Sequence, residues 1–125
     1  MNFESTQIKG RGRGKQMGVP TINLKVPEDF NIADGVYACL ATIESMSYKG
    51  ALHIGPVPTF EETERTIEIY ILDVDSESFP NVMGKKIGVI VKKKIRDVEK
   101  FNSPELLIKR IVADVSEIRQ VLSDS

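Results

Sequence analysis

Apolar residues alternate with polar ones along several short segments of this chain, and that alternation restricts its possible folds more than any other feature. In the clearest segment, Ile67, Ile69 and Ile71 fall on one face, whereas Glu68 and Tyr70 fall on the other. A period of two is typical of a strand with one buried face. Segments of this kind predict strands at residues 6–9, 21–24, 36–43, 48–54, 66–72 and 86–95.

The apolar period lengthens near the C-terminus. Ser103 suits the N-cap of a helix, Pro104 its first turn, and Glu105 the positive end of its dipole. The apolar residues that follow recur every three or four positions and predict an amphipathic helix: Leu107, Ile111, Val115, Ile118 and Leu122. Several short strands and one terminal helix indicate an all-β barrel with the helix packed outside.

Length and composition exclude several classes of protein. The chain has 125 residues, so we expect one domain over residues 1–125. We expect no signal peptide, because the first five residues are neither basic nor apolar, and no apolar run approaches the ~20 residues that a membrane helix needs. Because Cys39 and His53 are the only residues of their types, an internal disulfide and a Cys/His zinc site are excluded. We expect a cytoplasmic protein with no membrane partner.

Charge gives a weaker signal. The formal net charge of −1 offers no argument for binding to nucleic acid. Basic residues nevertheless gather in two clusters, at residues 9–15 and 92–96. The two clusters could converge on one anionic ligand, or they could be two separate solvated faces.

The glycine-rich segment from Gly10 to Gly18 is the first candidate site. Gly10, Gly12 and Gly14 alternate with arginines, and Lys15 follows. Glycines let backbone amides approach a phosphate closely, and basic side chains neutralise its charge. The spacing fits neither the P-loop nor the dinucleotide fingerprint. A phosphate-binding loop and a flexible Arg-Gly arm that tethers RNA are both compatible with this composition.

Thr21 and Asn23 form the second candidate site, directly after Pro20. On an extended backbone, residues two apart point the same way, so both side-chain oxygens face one direction. Hard oxygen ligands suit Mg²⁺, which also binds phosphates. The alternative is ordinary polarity on the surface of a strand.

Six ordered blocks of this sequence resemble the riboflavin kinase family and together cover nearly the whole chain. The first block contains the glycine loop and Pro20-Thr21-Ile22-Asn23, which is similar to the family's Pro-Thr-Ala-Asn motif. The other blocks lie at residues 34–37, 53–60, 67–73, 83–87 and 95–106. The chain resembles a stand-alone kinase domain, without the FAD synthetase domain that is often fused to this family.

The resemblance implies a closed six-stranded antiparallel Greek-key barrel that phosphorylates riboflavin with Mg²⁺-ATP to give FMN. It implies small-molecule substrates, no nucleic-acid partner and a monomer. Glu68 matches the catalytic carboxylate, and Thr21 and Asn23 match the magnesium ligands. The remaining matches are nucleotide-binding positions at Gly10, Gly12, Gly14, Lys15, Thr21, Asn23, Ile71, Asp73 and Met83, and flavin-binding positions at Arg96, Glu99 and Phe101.

Three positions depart from the family's pattern. His53 replaces a common asparagine, Met83 replaces a tyrosine, and Val98 stands where the family has an acid. These departures leave a second interpretation open, a non-catalytic barrel that binds a flavin or a nucleotide. An RNA-binding module that uses the Arg-Gly arm is a third interpretation.

Overall fold

A computed structural model describes residues 1–9, 20–56, 58–60, 64–75, 79 and 82–123. Within these ranges the chain forms six strands and one long helix. The strands are β1 (Asn2–Ile8), β2 (Thr21–Leu24), β3 (Gly35–Ile43), β4 (Met46–Gly55), β5 (Thr66–Ile71) and β6 (Lys86–Arg96). A short 3₁₀ helix covers Pro58–Phe60, and α1 spans Pro104–Ser123.

The six strands close into an antiparallel barrel in the order β1-β2-β5-β4-β3-β6. Each neighbouring pair is hydrogen-bonded, including β6 with β1, which closes the ring. Strand β3 follows β2 in sequence but is not its neighbour in the barrel, because β5 and β4 lie between them. This order is that of a Greek key. The predicted closed six-stranded barrel with an outer helix is therefore confirmed.

Alternating apolar residues fill the barrel. On β5 the three isoleucines Ile67, Ile69 and Ile71 point inward and are almost fully buried. Strands β2, β3, β4 and β6 contribute buried residues in the same way, among them Ile22, Leu24, Cys39, Leu52, Ile54, Ile87 and Val89, and Phe3 of β1 is partly buried against them. The period of two in the sequence thus corresponds to the inner and outer faces of one closed sheet.

Helix α1 covers part of the outer face. Ser103 caps it, because its Oγ accepts a hydrogen bond from the Leu106 amide at 3.3 Å. Ile118 and Leu122 are buried against a second apolar cluster, which contains Ala38, Ala51, Tyr70 and Leu72 on the outside of the barrel. The helix is not long and apolar enough to cross a membrane, and neither is any other helix in the described ranges.

The predicted strands at residues 36–43 and 48–54 form a hairpin, and the turn between β3 and β4 is shorter than the gap left between the two predictions. The turn consists of Glu44 and Ser45, and Met46 already belongs to β4. Both turn residues have positive φ, 48° and 75°, as a two-residue hairpin turn of type I′ requires. Neither residue is the glycine or asparagine that usually signals such a turn, so the residue types alone do not indicate it.

Candidate active site

Strand β2 presents Thr21 and Asn23 on the outer face of the barrel. Ile22 and Leu24, which alternate with them, are buried in the interior. The two side-chain oxygens therefore leave the strand on the same side, as their spacing predicted. Thr21 and Asn23 are both half-buried at this part of the outer face.

Glu68 lies next to this pair. In the antiparallel register of β2 with β5, Asn23 is directly opposite Glu68, and Thr21 is directly opposite Tyr70. Directly opposite residues carry their side chains on the same face, with Cβ atoms about 5 Å apart. Thr21, Asn23 and Glu68, three separate predictions from the sequence, are therefore neighbours on one surface.

The carboxylate of Glu68 is buried, with only 2% of the residue exposed. A strand residue that alternates with buried isoleucines ordinarily faces solvent, but Glu68 does not. The hydroxyl of Tyr70 donates a hydrogen bond to Glu68 Oε2 at 3.1 Å. Burial of a carboxylate is costly unless it is hydrogen-bonded, and Tyr70 supplies one such bond and fixes the orientation of the group.

A cleft of about 460 Å³ borders Asn23 and Glu68. It lies between the end of β1, strand β2 and the start of β5, and Lys9, Lys25 and Arg65 bring positive charge to its wall. Arg65 is held in place by Asp34, whose Oδ1 accepts a hydrogen bond from its Nε at 2.6 Å. The cleft therefore presents basic groups, at Lys9 and Lys25, and acidic groups, at Glu64 and Glu68, to a ligand placed beside it.

The glycine loop connects β1 to β2 and lies outside the described residues, so Gly10, Gly12, Gly14 and Lys15 stay predictions. The residues at its two ends are described. Lys9 lines the cleft, and the Pro20 carbonyl accepts a hydrogen bond from the Ile71 amide at 2.9 Å. The loop therefore begins and ends beside the surface that carries Thr21, Asn23 and Glu68.

The other predicted nucleotide positions are in different environments. The side chain of Ile71 is fully buried inside the barrel, so only its backbone could contact a ligand outside. Asp73, with a positive φ of 61°, forms an ion pair of 2.7 Å with Arg119 of α1. Met83 is 51% exposed. These three roles stay predictions.

The predicted flavin positions surround the start of α1. Arg96 binds Asp114 of α1 through Nε and Nη2, at 3.0 and 2.9 Å, and both side chains are buried. Its guanidinium also lies 5.8 Å from the centre of the Phe101 ring, and the Phe101 amide donates to Thr59 Oγ1 at 2.9 Å. Glu99 is exposed. Arg96 thus anchors the segment between β6 and α1 to the helix.

A second ion pair lies at the beginning of the same segment. Lys94 Nζ is 2.6 Å from Asp97 Oδ1. This hydrogen bond raises the pKa of the exposed Lys94 and lowers the pKa of Asp97. The pair therefore stays charged across the neutral range, and it marks the point where β6 ends.

Three residues of this region, Tyr70, Asp114 and His53, were not predicted as part of the site. Tyr70 follows Glu68 by two positions, so the alternation of β5 could have indicated that they share a face. Asp114 falls at helical spacing from Ile111 and Ile118, where an acid among apolar residues signals a buried partner. His53 lies directly opposite Glu68 on β4.

The described residues offer a divalent metal ion few side-chain ligands. Among the described residues, no group of three or more His, Cys, Asp and Glu side chains is arranged to hold a metal. Asn23 nevertheless offers a neutral oxygen beside the cleft, and Thr21 offers a second one on the same face of β2, which fits Mg²⁺ because this ion keeps several waters and takes phosphates as ligands.

Comparisons with known proteins bear on this arrangement. The sequence model described as "Flavokinase: Riboflavin kinase" matches residues 1–122. The chain is 34% identical over 112 residues to the RNA-binding riboflavin kinase RibR of Bacillus subtilis (strain 168), covering 89% of this chain and 46% of RibR. It is 31% identical over 123 residues to riboflavin kinase of Homo sapiens, covering 92% of this chain and 76% of the human protein.

A bifunctional riboflavin kinase/FMN adenylyltransferase of Bacillus subtilis (strain 168) is 32% identical over 121 residues, or 94% of this chain and 37% of the relative. Except for the human protein, these relatives are thus more than twice as long as the matched region. Among solved structures, one titled "Crystal Structure of Macrolide-efflux Protein from Streptococcus pneumoniae" superposes with a TM-score of 0.78 at 28% identity. That match covers 94% of this chain and 38% of the other.

Proposed function

The chain belongs to the riboflavin kinase family, and from this membership we propose that it transfers the γ-phosphate of ATP to the ribityl 5′-hydroxyl of riboflavin, giving FMN. The observation that carries the proposal is the register of β2 with β5, which puts Asn23 opposite Glu68 and Thr21 beside them. Phosphoryl transfer needs neutralised phosphates and a positioned nucleophile, and this surface offers groups for both tasks.

Thr21 and Asn23 serve the phosphate side of the reaction in this proposal. Their oxygens would hold Mg²⁺, which neutralises charge on the phosphate oxygens of ATP when it is bound. Lys9 and Lys25 on the wall of the cleft add positive charge nearby. The glycine loop, with Gly10, Gly12, Gly14 and Lys15, would bring its amides to the same phosphates.

Glu68 serves the nucleophile side. A primary hydroxyl is a weak nucleophile, so a carboxylate that accepts its hydrogen bond orients it and takes its proton as the bond to phosphorus forms. The bond from Tyr70 at 3.1 Å holds this carboxylate in one orientation. Because Glu68 is almost fully buried, its interaction with a bound hydroxyl is little weakened by water.

Arg96, Glu99 and Phe101 form the flavin side in this proposal. The pairing of Arg96 with Asp114 neutralises the guanidinium, so we assign Arg96 to shaping the segment between β6 and α1. Phe101 lies on that segment and provides an aromatic surface beside the guanidinium. An aromatic ring suits a planar flavin.

The experiment that tests the proposal is conversion of riboflavin to FMN by the purified chain with ATP and Mg²⁺, followed by chromatography of the flavin. Formation of FMN that requires both ATP and the metal is expected, and a chelator such as EDTA should stop it. A folded chain that gives no FMN over a range of nucleotides and divalent metals would overturn the proposal.

A non-catalytic barrel that binds a flavin or a nucleotide is the second candidate. The observation in its favour is the ion pair between Arg96 and Asp114, because the guanidinium that was predicted to face the flavin is bound to a carboxylate of α1. Quenching of riboflavin fluorescence without FMN formation would identify this function. RibR is named as RNA-binding, so a gel-shift assay with RNA at two salt concentrations tests the third interpretation, in which binding weakens steeply with salt.

A further inference from the structure

Buried polar groups lie on the outer face of the barrel and on the helix α1 that packs against it. Within the described part of the chain, three polar or charged residues are buried: His53 at 7% exposure, Glu68 at 2% and Asp114 at 2%. Glu68 has Tyr70 as a hydrogen-bond donor, and Asp114 has Arg96. The proposed reaction uses Glu68, and the ion pair docks the helix, but neither role explains a histidine at position 53.

The register of the barrel puts His53 between these two groups. Leu52 and Ile54 point into the barrel, so His53 points outward. It is directly opposite Glu68 on β5 and directly opposite Val36 on β3. Val36 is in turn opposite Arg96 on β6. Glu68, His53, Val36 and Arg96 therefore form one row across β5, β4, β3 and β6, with about 4.8 Å between neighbouring strands. In this row His53 is the residue next to Glu68 on the side toward Arg96.

The two sides of Glu68 differ. On the β2 side it borders the open cleft together with Asn23. On the β4 side lies a small enclosed cavity between the barrel and α1, and His53, Tyr70 and Arg96 contribute to its wall. His53 therefore separates the carboxylate from the side of the barrel on which Arg96 and Asp114 are paired.

Packing alone would favour an apolar residue at this position. Val36, Ala51, Leu107 and Ile111 are the apolar residues that line the same small cavity as His53, and Tyr70, Arg96 and Asp114 line it with polar groups. Burial of an imidazole costs free energy unless polar groups compensate it, and a side chain of similar size without polar atoms avoids that cost.

We propose that His53 is a positioning residue for Glu68, holding its carboxylate toward the cleft and away from Arg96. This inference rests on the proposed kinase reaction, since the carboxylate needs a fixed direction only if it acts on a bound hydroxyl. His53 itself touches neither substrate nor metal. Together, His53 and Tyr70 restrain the carboxylate from β4 and from its own strand.

The first test replaces His53 with methionine, which has a similar volume and no hydrogen-bonding nitrogen. We expect the midpoint of thermal unfolding to change little, because removal of a buried polar group and withdrawal of a polar neighbour from the buried Glu68 carboxylate have opposite effects on stability. The single-turnover rate of FMN formation should nevertheless fall about 10- to 100-fold, as for other groups that orient a reacting residue. Dissociation constants for riboflavin and ATP should change by no more than about threefold. A purely structural histidine would give the opposite pattern, lower stability and a normal rate per folded molecule.

Two conservative variants test whether a nitrogen at this position is what matters. His53→Asn places an amide near the position of Nδ1, and His53→Gln places one near Nε2. One of the two should restore the single-turnover rate to within about threefold of wild type. If neither does, although both fold, a specific hydrogen-bonding role for His53 is overturned. Ile111→Val is the matched control, because it changes the same cavity on the helix side and should leave the rate unchanged.

The closing experiment combines His53→Met with Glu68→Gln. If His53 acts through Glu68, the double variant should be no slower than Glu68→Gln alone, because a residue that positions a missing carboxylate has nothing left to do. If the fold-loss of the double variant equals the product of the two single fold-losses, the two residues act independently and the proposal is overturned. Normal wild-type turnover with an unchanged His53→Met rate would overturn this inference alone, whereas a wild type without turnover would overturn the proposed function and this inference with it.

Discussion

Asn23 and Glu68 stand directly opposite each other across the ladder of β2 and β5, with both side chains on the outer face of the barrel. Asn23 belongs to the shortest of the six strands, and Glu68 is buried to 2% exposure. The pair unites the phosphate side and the nucleophile side of the proposed reaction across two hydrogen-bonded strands. Any distortion of this ladder would therefore change the distance between Asn23, the proposed metal ligand, and Glu68, the proposed general base.

The first prediction concerns the two oxygens of β2. Thr21→Val and Asn23→Ala should each lower kcat by about 10²–10³-fold, because each removes an oxygen that positions charge-neutralising groups at the phosphates. The measurement is steady-state FMN formation over a range of Mg²⁺ concentrations. If both variants kept full activity at limiting Mg²⁺, the assignment of Thr21 and Asn23 would be wrong.

Ile22→Val is the matched control for this pair. Ile22 lies between the two residues but points into the barrel. Its replacement should cost about 0.5–1.5 kcal/mol of unfolding free energy and leave kcat close to wild type. A large loss of turnover in this control would mean that β2 is sensitive to any change, and that the losses at positions 21 and 23 are structural.

The second prediction concerns the buried ion pair. Asp114→Ala leaves the guanidinium of Arg96 buried without its carboxylate, so the free energy of unfolding should fall by about 3–5 kcal/mol. The measurement is urea unfolding followed by circular dichroism. Arg110→Ala is the control, because Arg110 contacts the same carboxylate at 3.4 Å but is 43% exposed, and its loss should cost no more than about 1 kcal/mol.

A double replacement, Arg96→Met with Asp114→Leu, shows whether the lower free energy of unfolding of Asp114→Ala comes from an unpaired buried charge or from lost packing. If an uncompensated charge causes the instability of Asp114→Ala, the apolar pair should regain most of it. If the double variant is as unstable as the single one, the charge interaction does not anchor α1 and packing at this position is what matters.

The third prediction concerns the thiol of Cys39, which is free and lies in the core of the barrel. Burial raises its pKa from 9.0 to about 12. Between these two values the unfolded chain loses the thiol proton while the folded chain keeps it, so stability should fall as pH rises. Below pH 9 the thiol is protonated in both states, and its contribution to the free energy of unfolding is fully present. Urea unfolding at increasing pH should therefore show a steeper loss for wild type than for Cys39→Ala, which lacks the thiol.

The same burial predicts slow reaction with a thiol reagent. At pH 8, labelling of Cys39 should occur only through opening of the barrel and should accelerate in urea as the chain unfolds. Rapid labelling of the folded protein would show that the core near Cys39 is accessible.

The sequence predicted the fold well because the relevant signal is local. Alternation in β5, seen in Ile67, Ile69 and Ile71, and the three-four spacing of α1 each identify an element without knowledge of the rest. The family resemblance supplied the closure and the Greek-key order, which alternation alone leaves open. The boundaries were less accurate: β1 begins at Asn2, whereas the prediction began at residue 6.

The neighbours of the site could not be predicted in the same way. The contact of Arg96 with Asp114 depends on where α1 docks on the barrel, and the position of His53 beside Glu68 depends on the register of β4 with β5. No local pattern encodes either relationship. The direction of Glu68 was predictable from alternation, but its burial was not, because burial is produced by residues distant in sequence.

The measurement that tests the central claim most directly is single-turnover FMN formation by Glu68→Gln beside wild type, with riboflavin binding followed by fluorescence. Glutamine keeps the size of the side chain and a hydrogen-bonding oxygen for Tyr70 but removes the basic carboxylate. The account predicts a rate about 10²–10⁴-fold lower, with much smaller changes in the affinities for riboflavin and ATP. A rate within about threefold of wild type would contradict it, since the buried carboxylate of Glu68 would then have no part in the chemistry.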